Sequence, residues 1–336
     1  MKLNKLSMLG ALSLGISALA TTAMADECGK VTIADMNWAS ANLMANVDAI
    51  ILKEGYGCDV ELIPGATETT FASMKEKGQP DVAGELWINA VRNPLEAAYA
   101  EGSLHRLVDG PIEGTGEGWW LSRDFADAHP EITTVEQMIE HPELVPFNED
   151  PSKGAFMGCP SGWGCQLNNQ NLFKAYDMEA KGWTLVDPGS AAGLDGAIAK
   201  ASERSEPWFG YYWSPTSMIG KYNLKFLPFE AEYAGDDNWN NCITKPEGEC
   251  LNPKKTSWIK SEVNTVVTDR FFKAGGPAID FLSARVYPAT VMGEMHVYMD
   301  EEQATGEDAA WHFLESDDTS EAWVSPEVAE KVKAAL

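Results

Sequence analysis

Residues 30–54, KVTIADMNWASANLMANVDAIILKE, predict a β-strand that runs directly into an α-helix. The strand is the apolar run Lys30–Met36. The helix covers Ala39–Glu54, where apolar side chains recur at helical spacing from Leu43 onward, and Gly55 is a typical residue to end it. A strand that leads straight into a helix is the repeating unit of a parallel sheet covered by helices.

This alternation of strands and helices occurs in two blocks along the chain. In the first block we predict strands at Cys58–Ile63 and Asp81–Trp87 and a helix at Pro94–Glu101. The glycine run Gly114–Gly118 is then predicted to be a flexible connection. The second block holds further segments at Gly154–Met157, Leu167–Tyr176, Ala191–Glu203, Trp208–Trp213 and Asn264–Val267. The two blocks predict an α/β protein with two domains.

The charge balance limits the partners. The 336 residues include 51 Asp and Glu against 25 Lys and Arg, which gives a net charge of −26 at pH 7. Nucleic acids and anionic lipids attract basic surfaces, so neither is an expected partner. After the N-terminus, no stretch approaches the roughly 20 apolar residues that cross a bilayer.

The first 25 residues have the pattern of a secretory signal peptide. Lys2 and Lys5 precede the apolar segment 8–20, and residues 23–25 form an A-x-A cleavage signal. We therefore predict residues 1–25 to be a signal peptide that is cleaved after Ala25, with an uncleaved membrane anchor as the alternative. Export to the periplasm would place the mature chain in an oxidising compartment.

Six cysteines follow the predicted signal peptide, so disulfides are expected. A zinc site is the alternative, but no CxxC pair is present and no His stands near a Cys. The pairing that the spacing suggests is Cys28 with Cys58, Cys159 with Cys165, and Cys242 with Cys250.

No catalytic motif stands out, whereas tryptophan does. The chain has 12 Trp and 5 His, and neither a P-loop nor an HExxH or GxSxG motif occurs. Ligands of parallel α/β sheets bind beyond the carboxyl ends of the strands, where tryptophans would line a cleft. Sugars and quaternary ammonium groups are the ligands that such rings suit. The tryptophans at predicted strand ends and turns are Trp38, Trp87, Trp119, Trp120, Trp163 and Trp213.

Three motifs carry a family resemblance: GCPSGWGC at Gly158–Cys165, FGYYWSPT at Phe209–Thr216 and DVAGELW at Asp81–Trp87. Weaker support comes from GYGCDVEL at Gly55–Leu62 and GSAAGLDGAIA at Gly189–Ala199. With these motifs, the chain resembles the substrate-binding proteins of ABC importers for glycine betaine, choline and related quaternary amines. The resemblance extends over nearly the whole chain after the signal peptide.

The resemblance implies a two-lobed periplasmic-binding-protein fold, similar to type II, with a ligand cleft between the lobes. Each lobe is expected to be a mostly parallel sheet covered by helices. Lobe I would comprise residues 26–118 and 263–336, and lobe II residues 119–262. The expected protein is a monomeric carrier without cofactor or enzymatic activity, and its partners are the permease and ATPase of the importer.

For the site, the resemblance implies a box of tryptophan rings around a methylated ammonium group. By motif match the rings are Trp87, Trp163 and Trp213. Trp38 stands where choline-binding relatives place another ring, and Trp119 matches a Tyr position of the same pocket, with its neighbour Trp120 as the competing assignment. The amides of Gly164 and Cys165 match those that hold a betaine carboxylate, and the disulfide Cys159–Cys165 would brace their turn.

Two positions depart from the family pattern. Val91 stands where some betaine-binding relatives have a His, and Ser40 stands where choline-binding relatives have an Asp. Two nearby acids, Glu85 and Glu117, could contact the ligand instead, although solvated carboxylates are the alternative for both. Glycine betaine is the leading ligand, and trimethylamine N-oxide, choline and dimethylsulfoniopropionate remain open.

Two further hypotheses remain. A secreted glycan-binding or glycan-hydrolysing protein would use tryptophan platforms and the acid pair Glu85 and Glu117. A calcium ion could bind near Asn148, Glu149 and Asp150, which supply oxygen ligands but do not form an EF-hand loop.

Overall fold

The computed structural model describes residues 29–246 and 248–336, so the predicted signal peptide and Cys28 lie outside the described residues. The strands are β1 (Lys30–Met36), β2 (Asp59–Gly65), β3 (Val82–Trp87), β4 (Leu104–Asp109), β5 (Gly116–Leu121), β6 (Pro146–Phe147), β7 (Asp150–Met157), β8 (Trp183–Val186), β9 (Phe209–Ser214), β10 (Lys225–Leu227) and β11 (Val263–Thr268).

The helices cover both sheets. They are α1 (Ala39–Ile50), α2 (Thr67–Lys77), α3 (Arg92–Glu101), α4 (Arg123–Ala128), α5 (Val135–Ile139), α6 (Gly164–Ala175), α7 (Ala191–Glu203), α8 (Ser217–Tyr222), α9 (Asp236–Asn238), α10 (Asp269–Ala274), α11 (Pro277–Ala284), α12 (Ala289–Glu301), α13 (Gly306–Ser316) and α14 (Pro326–Lys333). Short 3-10 or π segments lie at Ile51–Gly55, Ile88–Ala90, Pro142–Leu144, Trp239–Ile243 and Thr319–Trp323.

The strands form two separate sheets, one in each lobe. The first sheet has the order β2-β1-β3-β11-β4, and the second has the order β10-β5-β9-β7-β6 with β8 beside β7. The chain therefore crosses between the sheets twice, once between β4 and β5 and once between β10 and β11. This arrangement confirms the predicted α/β fold with two lobes.

The sheets are more mixed than the mostly parallel sheets that we expected. In lobe I, β1 pairs in parallel with β2 and β3, but β11 is antiparallel to β3 and β4. In lobe II, β5 is antiparallel to both of its neighbours, β9 and β10. Two of the antiparallel strands, β5 and β11, are those that the chain enters after crossing between the sheets. The third is the two-residue strand β6, which runs antiparallel to β7. A crossing strand arrives from the other lobe, so it does not continue the strand–helix repeat that makes neighbours parallel.

The strand β5 also corrects two expectations about residues 114–119. The predicted boundary between 118 and 119 falls inside β5, which belongs as a whole to the second sheet. The predicted flexible connection at Gly114–Gly118 is likewise wrong for its last three residues, because these are part of β5 and pair with β9. The first three residues of β5, Gly116, Glu117 and Gly118, lack the apolar pattern that predicts a strand.

The segment that decides the fold has the predicted structure. β1 is buried on both faces, as expected for a strand inside a helix-covered sheet. Helix α1 packs closely on α13, where a Cβ atom added to Gly306 would lie 2.0 Å from Oδ1 of Asn42. The C-terminal helices thus belong to the core of lobe I, which includes Leu43, Val47 and Phe313.

A buried ion pair lies beneath the first sheet. Nε of Arg285 is 2.9 Å from Oδ1 of Asp48, and both side chains have no exposed surface. Nη2 of Arg285 also donates to the carbonyl of Gly84 and to the hydroxyl of Thr265. Burial raises the pKa of Asp48 to about 6, although the charge of Arg285 opposes the shift. The pair joins α1 to the segment after α11 directly under β3.

We expect Arg285→Met to lower the free energy of unfolding by about 3–5 kcal/mol, because it leaves the carboxylate of Asp48 buried without a partner. The double variant Asp48→Asn/Arg285→Met should recover most of the loss, since no uncompensated charge remains. Urea titration at pH 7.5 measures both. A single variant as stable as the native protein, or a double variant no better than the single, would contradict this account.

Candidate ligand-binding site

A small cavity of about 30 Å³ lies between the lobes at the ends of their strands. Lobe I supplies its lining through the segments after β1, β2 and β3, and lobe II supplies it through β5, β9 and the start of α6. The lining residues are Trp38, Thr67, Trp87, Asn89, Ala90, Glu117, Trp163, Gly164, Cys165, Asn168, Tyr211 and Trp213.

Four predicted tryptophans meet in this cavity: Trp38, Trp87, Trp163 and Trp213. The ring of Trp163 is 5.3 Å from that of Trp38 and 5.0 Å from that of Trp213, with interplanar angles of 71° and 84°. Rings at nearly right angles form the walls of a box and do not fill its space by stacking. Their negative faces are suited to a cation within the box.

The tryptophans reach the cavity because of where their strands end. Trp38 is the last residue before α1, Trp87 ends β3, and Trp163 is the last residue before α6. These are the strand-to-helix junctions at which α/β proteins bind ligands. The prediction from strand ends therefore agrees with the location of these three rings.

Glu85 positions two of the rings and does not line the cavity. Its Oε1 accepts hydrogen bonds from the indole N–H groups of Trp38 and Trp87, at 2.7 and 2.8 Å, and from the hydroxyl of Ser40 at 3.0 Å. The side chain is 1% exposed. Its carboxylate lies behind the rings and outside the cavity lining, so this geometry does not support the expected contact of Glu85 with the ligand.

The environment of Glu85 perturbs its proton affinity. Burial raises the pKa of Glu85 to about 7, and the hydrogen bonds from Trp87, Trp38 and Ser40 oppose this shift. The other carboxylate oxygen, Oε2, is buried without a hydrogen-bond partner. An ionised Glu85 therefore costs stability, since its charge is only partly compensated.

Glu117, in contrast, faces the cavity. Its Oε1 accepts a hydrogen bond from the Tyr211 hydroxyl at 2.9 Å, and its Oε2 accepts from Ser261 at 3.1 Å and from Asn89 at 3.4 Å. Burial raises the pKa of Glu117, and these hydrogen bonds lower it again in part. The carboxylate is thus held at one wall of the box by residues of both lobes and of the connection before β11.

The start of α6 contributes hydrogen-bond donors to the cavity, in contrast to the carboxylate of Glu117. Gly164 and Cys165 are the first two residues of this helix, whose N-terminus has no side-chain cap. The first amides of a helix lack intrahelical acceptors and favour negative charge. The Cα atoms of Cys159 and Cys165 are 5.8 Å apart in the disulfide that joins this helix start to the turn after β7.

Asn168 is a cavity residue that sequence reasoning missed. It is 1% exposed, and its Oδ1 has no hydrogen-bond partner. It lies one helical turn after Gly164, so both face the same space. The sequence prediction started the helix at Leu167 and therefore hid this i, i+4 relation.

Trp119, which we expected as a ring of the pocket, is not among the residues that line the cavity. Trp119 is fully buried inside lobe II, 4.4 Å from the ring of Phe156, and its indole N–H donates to Asn169 at 2.7 Å. It shares a strand face with Glu117 but lies one step deeper into the lobe. The competing residue, Trp120, is on the other face and packs against Phe226.

The lobes contact each other around the cavity. The indole N–H of Trp163 donates to Oδ1 of Asn37 at 2.7 Å, and Nζ of Lys221 is 2.5 Å from Oδ2 of Asp300. Asn37 and Asp300 belong to lobe I, whereas Trp163 and Lys221 belong to lobe II. The two lobes are therefore in direct contact in this structure.

The remaining predictions concern disulfides and metals. The pair Cys242–Cys250 is present with a Cα separation of 4.6 Å, whereas Cys28 lies outside the described residues, so its pairing with Cys58 stays a prediction. Within residues 29–246 and 248–336, no group of three or more His, Cys, Asp or Glu could hold a metal. Asn148 and Glu149 are exposed loop residues, and nothing there supports the calcium alternative.

The two acids of the glycan hypothesis, Glu85 and Glu117, do not face a common space. Only Glu117 lines the cavity, while Glu85 lies behind Trp38 and Trp87.

In the part of the chain that the structure describes, no helix is both long and apolar enough to cross a membrane.

Comparisons with known proteins agree with this geometry. The family described as the substrate binding domain of ABC-type glycine betaine transport systems matches residues 29–316. The glycine betaine/proline betaine-binding periplasmic protein of Salmonella typhimurium is 26% identical over 108 residues, which are 31% of each chain. This sequence match thus spans under a third of the relative's length.

Solved structures share the fold over most of the chain. A choline-binding protein of an ABC transporter, in complex with choline, has a TM-score of 0.70 at 18% identity and covers 92% of this chain and 99% of its own. Lactococcal OpuAC, closed on glycine betaine, has a TM-score of 0.64 at 21% identity, with coverages of 88% and 100%. Identities this low establish the fold alone.

The buried charge of Glu85 predicts a pH-dependent stability. Because its folded-state pKa is above the ordinary value of 4.5, the folded protein loses stability as pH rises from there to about 7. Glu85→Gln keeps an acceptor oxygen without the charge. We expect its free energy of unfolding to equal the native value at pH 4.5 and to exceed it at pH 8, by about 3 kcal/mol at most, as measured by urea titration.

Two further variants complete this test. Glu85→Met should be less stable than Glu85→Gln at every pH, because two indole N–H groups lose their acceptor. The exposed Glu101→Gln is the control and should change nothing. Equal stability of the native protein and Glu85→Gln from pH 4.5 to 8 would refute the assignment of a costly buried charge.

Proposed function

The chain belongs to the family of substrate-binding domains of ABC-type glycine betaine transport systems, and we propose that it captures a small methylated onium compound with an anionic or strongly dipolar end. The observation that supports this proposal is the set of groups that line one cavity. Four tryptophans, the carboxylate of Glu117 and the uncapped start of α6 all line the same space.

The aromatic box supports an onium group as the cationic part of the ligand. Methylated ammonium and sulfonium groups cannot donate strong hydrogen bonds, so ring faces and a nearby carboxylate are their natural partners. Glu117 adds a negative charge at the wall that Tyr211 also forms. Its hydrogen-bond acceptor sites are largely used by Tyr211, Ser261 and Asn89, which leaves it to act by charge.

The start of α6 supports an anionic end of the ligand. A helix N-terminus stabilises a nearby negative charge by about 0.3–2 kcal/mol, depending on burial. The amides of Gly164 and Cys165 are the proposed donors, and the amide group of Asn168 lies next to them in the cavity. Val91 offers no donor, so this helix start takes the place of the His that some relatives have.

The proposed sites for a cationic and an anionic end of the ligand rank the candidate compounds by expected affinity. Glycine betaine is the leading ligand, because it combines a trimethylammonium group with a carboxylate on a short arm. Trimethylamine N-oxide and dimethylsulfoniopropionate share a dipolar character and remain proposed ligands. Choline has no anionic end for α6, so we place it last.

The transport role follows from the family. We propose that the protein binds its ligand in the periplasm after removal of residues 1–25, as a monomer without a cofactor. The lobes close by hinge motion at the two crossings between the sheets. The closed form would then deliver the ligand to the permease and ATPase of an importer, with no chemical change to the ligand.

Calorimetry with a panel of ligands tests the proposed polarity. We expect glycine betaine to bind at least tenfold more tightly than choline, which corresponds to about 1.4 kcal/mol. The panel should include trimethylamine N-oxide, dimethylsulfoniopropionate and a cello-oligosaccharide. Choline binding as tightly as glycine betaine would refute the role of α6, and binding of the sugar alone would favour the glycan hypothesis.

Single-ring variants test the aromatic box. Trp87→Ala, Trp163→Ala and Trp213→Ala should each weaken glycine betaine binding by about tenfold, since one cation–π contact is worth roughly 0.5–2 kcal/mol. Trp311→Ala, in lobe I away from the cavity, is the matched control and should not change affinity. Circular dichroism on the same samples separates lost contacts from lost folding, and three unfolded variants would mean that the rings are core residues only.

A further inference from the structure

Gly164 lies directly against Ala90 across the cleft. A Cβ atom added to Gly164 would be 2.6 Å from the Cβ of Ala90. Favourable contacts between carbon atoms are about 3.5–4.0 Å long, so the two atoms would overlap. The Cβ of Ala90 is fixed to the backbone and cannot rotate away. One of the two segments would have to move.

The backbone itself does not require glycine at this position. Gly164 is the first residue of α6 and is not among the residues with a positive φ angle. Alanine is a better helix former than glycine, so local conformation favours a side chain here. The absence of a side chain is therefore explained by the space between Gly164 and Ala90.

The two residues belong to different lobes. Ala90 ends the 3-10 segment after β3 in lobe I, whereas Gly164 begins α6 in lobe II. Their contact therefore exists only when the lobes are together, as they are around Trp163 and Asn37. It lies in the wall of the cavity itself.

We propose that Gly164 is a positioning residue that permits full closure of the lobes, because its missing side chain lets the start of α6 seat against Ala90. Closure brings the first amides of α6 to the ligand, so a side chain at residue 164 would hold them away. This inference rests on the proposed function, since it assumes that closure accompanies ligand capture. It adds a steric requirement to the hydrogen-bond donation that we propose for the amide of Gly164, since an amide at this position could donate with any side chain.

A second explanation must be separated from this one. A methyl group on Gly164 could also obstruct the ligand directly, because Gly164 lines the cavity. Removing the methyl group of Ala90 would relieve a clash between the lobes but not a clash with the ligand. The pair of substitutions Gly164→Ala and Ala90→Gly therefore distinguishes the two.

The experiment compares the native protein, Gly164→Ala, Ala90→Gly and the double variant. Gly196→Ala is the matched control, since a Cβ atom on this glycine of α7 meets nothing within 4 Å. Affinity for glycine betaine is measured by calorimetry. Closure is measured by zero-length carbodiimide cross-linking of Lys221 to Asp300, which are 2.5 Å apart across the cleft, with mass spectrometry of the linked peptides.

We expect Gly164→Ala to bind at least tenfold more weakly and to form at least threefold less cross-link with saturating ligand. The melting temperature of the unliganded variant should be equal to the native value or higher, which a merely structural glycine would not give. The double variant should return both affinity and cross-link yield to within about threefold of the native protein. Gly196→Ala should behave like the native protein.

Three outcomes would overturn the inference. They are native affinity and cross-linking in Gly164→Ala, a loss that Ala90→Gly does not restore, and a loss of melting temperature in Gly164→Ala. If the native protein binds no compound of the panel, the proposed function fails. The cross-link between Lys221 and Asp300 is irreversible and accumulates each transient closure, so the yields of the unliganded variants still test closure. In that case, equal yields in the native protein and Gly164→Ala would overturn the inference separately.

Discussion

One buried carboxylate oxygen holds half of the aromatic box. Oε1 of Glu85 accepts from the indole N–H groups of Trp38 and Trp87, so two rings from different strand ends have a common anchor. Each ring is thereby fixed in rotation, and its face is directed to the cavity instead of into the core. The remaining walls depend on this one, because Trp163 packs edge-on against Trp38 and in turn supports Trp213.

This anchor places a charge where a folded protein does not tolerate it easily. Glu85 lies near the fully buried pair of Asp48 and Arg285. The positive charge of Arg285 lowers the pKa of both carboxylates and so opposes the effect of burial. Lobe I therefore gives up stability for the orientation of its rings. Such a balance is common where a site must be rigid before the ligand arrives.

Much of this was accessible from the sequence, because strand-to-helix junctions are local features. The alternation around Lys30–Met36 predicts the fold, and the junction residues Trp38, Trp87 and Trp163 were predicted for the site on that basis. Depth along a strand is not local: Trp119 shares a face with Glu117 and yet belongs to the core. The direction of β5 likewise depends on where the chain crosses between the two sheets, which no spacing of residues encodes.

The central claim is that a dipolar onium ligand lies across the cavity in one orientation. A crystal structure of the native protein with glycine betaine tests this most directly. The account predicts the trimethylammonium group between the rings of Trp87, Trp163 and Trp213 on the side of Glu117, with the carboxylate at the amides of Gly164 and Cys165. A ligand bound in the reverse orientation, or outside the space between these rings, would contradict it.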